Sequence, residues 1–132
     1  MSLQRVNPEV LAPPVGFSHA VVVQSGSIVL LAGQTALDAS GQIVGSTIVE
    51  QFERVLTNLL TALAAAGGAP SDLAKLTIFC VDPADYRAHA KEIGAIWRQR
   101  AGRDYPAMTL VGVTRLWDDD ALIEIEGTAV VP

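Results

Sequence analysis

Two glutamates on one stretch are the sharpest candidates for chemistry in this sequence. Along Ala121-Leu-Ile-Glu-Ile-Glu-Gly-Thr-Ala-Val-Val131, strand alternation puts Ile123, Ile125, Gly127 and Ala129 on one side and Leu122, Glu124, Glu126 and Thr128 on the other. If the first set packs under helices, both carboxylates point away from them. In a lone subunit that surface is wet and the acids are merely solvated. Where copies meet face to face it is enclosed, and at least one carboxylate then needs a partner or a working role. The pattern alone is equally compatible with an ion-paired glutamate and a catalytic one.

Other reactive side chains carry less. His19 and His89 lack the close acidic or cysteine spacing of a metal site, so no metal is expected, and both read as surface or satisfied core histidines. Cys80, in an apolar run, reads as a small inert hydrophobe rather than a nucleophile. Asp118-Asp-Asp120 cannot converge on one ion from three consecutive positions and reads as a solvated turn. Arg98, Arg100 and Arg103 fall where positive charge favours a helix C-terminus, the simpler alternative to a ligand-binding cluster. No G-x-S-x-G, Walker or G-x-G-x-x-G pattern occurs, so hydrolase elbows and phosphate cradles find no support.

The elements that must position these residues are legible in outline. Residues 1–14 hold three prolines and read as an irregular lead-in; Met1-Ser2-Leu3 resembles an expression remnant and is assigned no role. His19–Gln24 and Ile28–Ala32 are apolar runs around Ser25-Gly26-Ser27, the composition of a hairpin, and their poor alternation implies helices over one face and a further cover over the other, for which another subunit is one candidate. After a turn at Asp38–Gly41 the chain returns over Gln42–Gly45. Thr47-Ile-Val-Glu50 matches a capping box, and Ile48, Phe52, Val55, Leu59 and Leu63 make one helical stripe that Gly67-Gly68 ends. A strand over 74–81 leads to a second helix, with Asp82 as N-cap, Pro83 at its first position and a stripe of Tyr86, Ala90, Ile93 and Trp97. Strands over 107–113 and 121–131 complete an α+β order, ββ(β)αβαββ, with two helices on one face of a mixed sheet.

Composition narrows the class. The 132 residues are 50% hydrophobic, enough for one core and one domain spanning 1–132, while aromatics supply only 5%. The mean hydropathy of +0.36 with 17% charged residues suggests that some apolar surface meets another subunit. A net charge of −5 opposes binding to a phosphate backbone, so no nucleic-acid partner is expected. A single cysteine, no signal peptide and no membrane-length apolar run fit a cytoplasmic protein with no membrane partner.

Four stretches together resemble the RidA/YjgF family of reactive-intermediate deaminases, also labelled endoribonuclease L-PSP, from about Val15 to Val131. Gly16-Phe-Ser-His-Ala-Val is similar to the family's G-P-Y-S-Q-A-V with one residue absent, and Val29-Leu-Leu-Ala-Gly-Gln34 to its V-F-x-S-G-Q strand end. Ala65-Ala-Gly followed by Asp72-Leu-Ala-Lys-Leu-Thr-Ile-Phe resembles A-A-G…D-V-V-K-x-T-V-F, and Pro106-Ala with Ile123-Glu-Ile-Glu126 resembles the closing P-A-R-S…V-E-I-E-A. The resemblance implies a chorismate-mutase-like fold, a homotrimer whose sheets line a central β-barrel, and small-molecule pockets between subunits. It implies hydrolysis of enamines and imines such as 2-aminoacrylate to a keto acid and ammonia, with no cofactor. Glu124 matches the glutamate that positions the attacking water, and Phe17, Gly33, Gln34, Met108 and Thr109 fall at substrate-binding positions.

The sequence departs from the family where the substrate carboxylate is gripped. Met108 stands where active deaminases carry an arginine, Phe17 lacks the usual tyrosine hydroxyl, and Ala90 stands for an asparagine. The expected pocket is therefore more apolar, like those of arginine-lacking branches. Two functional classes follow. One is a hydrolase of an enamine, imine or similar metabolite, with Glu124 positioning water, Thr109 as a polar contact, and Met108 and Phe17 shaping the pocket. The other is a non-catalytic module that binds a small molecule or acts through protein contacts. The ribonuclease or translation-inhibitor label of some relatives is disfavoured by the acidic charge.

Overall fold

The computed structural model describes residues 3–132, leaving Met1 and Ser2 outside. In chain order the elements are β1 (Leu3–Val6), β2 (Ala20–Val23), β3 (Ser27–Gln34), α1 (Ile48–Ala65), a 3-10 turn (Pro70–Asp72), β4 (Leu73–Cys80), α2 (Pro83–Ala88), α3 (Ala90–Ala101), β5 (Ala107–Gly112) and β6 (Ile123–Val131). Strands β3, β6, β4 and β5 lie side by side in that order, antiparallel except for the parallel pair β4–β5, while β1 and β2 form a separate antiparallel ribbon. The fold is mixed α+β, as expected, with its helices against one face of the larger sheet.

Helix α1 forms because its ends and its face agree. Thr47 Oγ1 accepts from the Glu50 N–H at 3.2 Å and Glu50 Oε1 accepts from the Thr47 N–H at 3.2 Å, so the capping box closes both ways. Beyond Ala66, Gly67 takes φ +88°, which a side chain would strain. Phe52, Val55, Leu56, Leu59 and Leu63 are buried against Leu31, Leu76, Ile78, Ile123, Ile125 and Ala129 of the sheet. Two amides of α1 then fasten the loops around the sheet. Gln51 Nε2 donates to the carbonyls of Gly45 at 3.0 Å and Asp120 at 2.9 Å while its Oε1 accepts from the Leu122 N–H at 2.8 Å. Asn58 Nδ2 donates to the carbonyls of Thr35 at 3.1 Å and Leu37 at 2.9 Å. The segments entering β6 and leaving β3 are thereby tied to one helix.

Several expectations are corrected. The lead-in is not wholly irregular: β1 lies within it, and Leu3, set aside as a remnant, is buried with Val21, Ala74 and Val130. The two apolar runs do not pair as a hairpin. β2 joins β1, β3 joins β6, and the ribbon covers only one end of the helix-free face, around Ala74 and Val130. Ile28 and Leu30 remain 70% and 79% exposed there. Gln42–Gly45 forms only an isolated bridge, Leu37 to Ile43, rather than a strand. The second helix is two helices, divided at His89, whose Nδ1 lies 2.9 Å from the Asp85 carbonyl and 3.1 Å from its carboxylate. A side chain that engages the i−4 carbonyl loosens the helical ladder at that point.

Candidate functional site

Glu124 sits on the helix-free face, as its alternation requires, between Phe79 of β4 and the end of β3. The pairing of β3 with β6 slips between Leu31 and Gln34, and this irregularity brings Gly33 against the Glu124 carboxylate so closely that a Cβ there would collide with Oε2. Burial, then the neighbouring Glu126 and Asp118 charges, hold the Glu124 carboxyl above the usual glutamate range. Arg115, Leu116 and Trp117 line the same open cleft, about 570 Å³ in volume. Arg115 makes an exposed ion pair with Asp119 at 3.2 Å, and Trp117 is 92% exposed. Neither Arg115 nor Trp117 was distinguishable in the sequence, since both lie in an irregular loop, tied to α1 only at its end through the Gln51 hydrogen bonds to Asp120 and Leu122.

Met108 occupies the other side of the sheet. It is registered with Leu76, a buried core residue, and lines a cavity of about 420 Å³ between β5 and the helices. The segment before β2 reaches this region because Ser18 bridges to Ala107, its N–H donating to the Pro106 carbonyl at 2.9 Å and its hydroxyl to the Tyr105 carbonyl at 2.7 Å. Val15 and Gly16 therefore line the cavity, while Phe17 packs edge-on to His19 with ring centroids 5.1 Å apart. Trp97 and Tyr105 stack within the wall at 6.1 Å, and the Trp97 Nε1 is buried with no acceptor among the described residues. Tyr86, another wall residue, is pushed up to about 12 by burial and by the neighbouring Cys80, so its phenol stays neutral.

The residues expected to form one site thus divide. Gly33 and Glu124 meet. Gln34 is registered with Ile125, on the helix-facing side, and Thr109 is on the helix-free side, where its Oγ1 accepts from Lys75 Nζ at 3.1 Å. Within one chain, Met108 and Glu124 lie on opposite faces with β4 between their strands. Among the described residues no cluster of His, Cys, Asp and Glu has the arrangement of a metal site, and no helix is long and apolar enough to cross a membrane.

The family model described as Endoribonuclease L-PSP matches residues 8–131. A RutC family protein of Pyrococcus abyssi is 32% identical over 98% of both chains. A protein of Dermatophagoides farinae named 2-iminobutanoate/2-iminopropanoate deaminase is 30% identical over 99% of both. Among solved structures, the Yersinia pestis protein YyfB, described as a Rid family member of unknown function, superposes with a TM-score of 0.88 at 39% identity, covering 99% of this chain and 100% of its own.

Proposed function

Because this chain belongs to the endoribonuclease L-PSP family, the RidA/YjgF proteins, we propose that it hydrolyses small enamines or imines, with Glu124 positioning the attacking water. The observation that carries this reading is the Glu124 carboxylate itself: half-buried, seated against the bare backbone of Gly33, and open to a cleft that Arg115 and Trp117 also line. The name of the mite relative supplies the reaction class. In the proposed step a water held by Glu124 gives its oxygen to the imine carbon and one proton to the carboxylate, which passes it to nitrogen to leave a carbinolamine; Glu124 then carries the remaining hydroxyl proton to nitrogen as the C–N bond breaks and the C=O bond forms, so ammonia leaves an oxo product. Met108 cannot hold a substrate carboxylate, and Gly33 and Thr109 offer polar contacts at the helix-free face.

The working form in this reading is a homotrimer with its helix-free faces turned inward to form a barrel. Exposed Ile28, Leu30 and Val111 on that face are the apolar surface such an assembly would cover, and a neighbouring copy would bring its edge strand β5, with the mouth of the cavity beside Met108, toward Glu124. The cytoplasm is the proposed location. The deciding experiment is ammonia release from freshly generated 2-iminopropanoate by the intact protein and by Glu124→Gln; turnover that survives the substitution would remove Glu124 from the mechanism.

A second reading, a non-catalytic small-molecule binder, is favoured by one specific feature, the apolar cavity beside Met108. It predicts ligands that raise Tm and emerge chemically unchanged in mass spectrometry.

A further inference from the structure

The cavity beside Met108 has a composition unlike the rest of the chain. Phe52, Tyr86, Trp97 and Tyr105 are four of only seven aromatic side chains in the sequence, and all four line it. The space between them exists because α3 carries small residues on this side: Ala90 and Gly94 stand where longer side chains would fill it. Its volume of about 420 Å³ is sufficient for a small-molecule site.

Its charge is equally distinctive. The chain has fourteen acidic against nine basic residues, yet the described residues lining this cavity include Lys91 and Arg98 and no carboxylate. Both cations are exposed and neither forms an ion pair among the described residues, unlike Arg100, which is taken by Glu53 at 3.0 Å. Arg98 lies back over Gly94, its Nη1 3.2 Å from where a Cβ would stand, so Gly94 leaves room for the guanidinium at the cavity as well as for the cavity itself. The neutral Tyr86 phenol adds no opposing charge.

We propose that this cavity binds an organic carboxylate with a flat apolar body, the body lying among the aromatic rings beside Met108 and the head group held by Lys91 and Arg98. Dispersion and burial of the body favour binding, and two cations at the rim, unpaired among the described residues, favour the acid over its neutral isostere. The inference deepens the imine-hydrolysing reading by naming the class of acid this branch accepts, and rests on that reading only for the claim that the ligand is a substrate.

The test uses the whole protein carrying Trp117→Phe, so that tryptophan emission reports Trp97 alone, titrated with 3-phenylpropanoate, 3-phenyl-1-propanol and propanoate. Saturable change with phenylpropanoate is expected, with the alcohol and the short acid at least about tenfold weaker, the scale of one lost ionic contact or one lost apolar body. Lys91→Gln with Arg98→Gln should erase the preference for acid over alcohol while leaving alcohol binding intact, which also shows that the fold survives. Gly94→Leu, which fills the space and improves helix propensity, should abolish binding at unchanged circular dichroism. Equal affinity for acid and alcohol, or unaltered preference in the double variant, overturns the proposal, as does an absence of saturation. Binding that persists without any ammonia release leaves this inference standing and sinks the enzymatic one; ammonia release without binding does the reverse.

Discussion

Gly33 is the surface against which the Glu124 carboxylate rests: a Cβ there would overlap Oε2 and approach Cδ to 2.9 Å. The backbone at Gly33 has no positive φ, so the glycine is required by proximity rather than by backbone conformation. Gly33→Ala should therefore leave the fold intact, since the position is exposed, and push the carboxylate off its station. A displacement of about 1 Å in a water-positioning group costs on the order of a hundredfold in kcat. Steady-state ammonia release together with calorimetry checks both halves, and undiminished kcat in Gly33→Ala would disconnect this contact from turnover.

The pH behaviour of Glu124 has a definite sign. Its folded carboxyl is held above 4.5, first by burial and then by Glu126 and Asp118, so the folded protein binds a proton that the unfolded chain has released in the window just above that value. Stability is thus lost as pH rises through the window, and the loss persists above it. Glu124→Gln should melt at a higher temperature than the parent at neutral pH, with the gap closing below the ordinary glutamate range. The acid limb of kcat should likewise fall above that range, because water activation needs the ionised form. Calorimetry from acid to neutral pH and a pH profile of ammonia release provide the two measurements.

How much of this was readable from the residues depends on how local the determinant is. Thr47, Glu50 and the stripe from Ile48 to Leu63 act within one helix, and the structure shows each in the expected role. The alternation of β6 likewise separates Ile123 and Ile125 from Glu124 and Glu126 as anticipated. What sequence could not show was pairing. Nothing in Leu3-Gln-Arg-Val6 announces a partner, and its ribbon is fixed by Arg5, which donates to the distant Tyr105 and Ser71 carbonyls at 3.2 and 3.0 Å. The side taken by Met108 follows only from its register with Leu76, which is why a residue grouped with Glu124 by motif sits across the sheet from it in one chain.

Gln51 couples the helix layer to the cleft. It is 1% exposed and satisfies the Asp120 carbonyl and Leu122 N–H at the end of the loop that carries Arg115 and Trp117, together with the Gly45 carbonyl before α1. Gln51→Leu keeps the volume and strands all three backbone groups, at about 1–3 kcal/mol for each one left without a partner or water. Urea unfolding should show a loss of about 3 kcal/mol or more, and the surviving folded fraction should show a raised KM as the loop lining the Glu124 cleft loses its tie at Asp120 and Leu122. Asn58→Leu, which frees only two carbonyls near β3, should cost less.

Leu30 and Ile28 test the assembly. Both stand 70% or more exposed on the helix-free face, registered with Thr128 and Val130 of β6, and burying one such side chain contributes about 1.5–3 kcal/mol. Leu30→Glu loses nothing within the subunit, because its side chain touches solvent there, but it places a charge where a barrel would be dry. Sedimentation should show a trimeric parent and a folded, monomeric variant without ammonia release. A variant that remains trimeric would mean that the subunits do not meet through this face.

Trp97 separates packing from polarity in the cavity wall. Its indole is 5% exposed and stacks on Tyr105, but the buried Nε1 has no acceptor among the described residues, which costs about 1–3 kcal/mol in a site closed to water. Trp97→Phe keeps an aromatic ring against Tyr105 and removes the stranded donor, so the smaller ring's lost contacts are offset and stability should stay within about 1 kcal/mol of the parent. Trp97→Ala gains the same relief but opens the core, and should lose about 3–5 kcal/mol. Chemical denaturation of the two variants measures the difference. If Phe proved as costly as Ala, the Nε1 would have to be bonded in solution, and the wall would hold a polar partner that its protein neighbours do not supply.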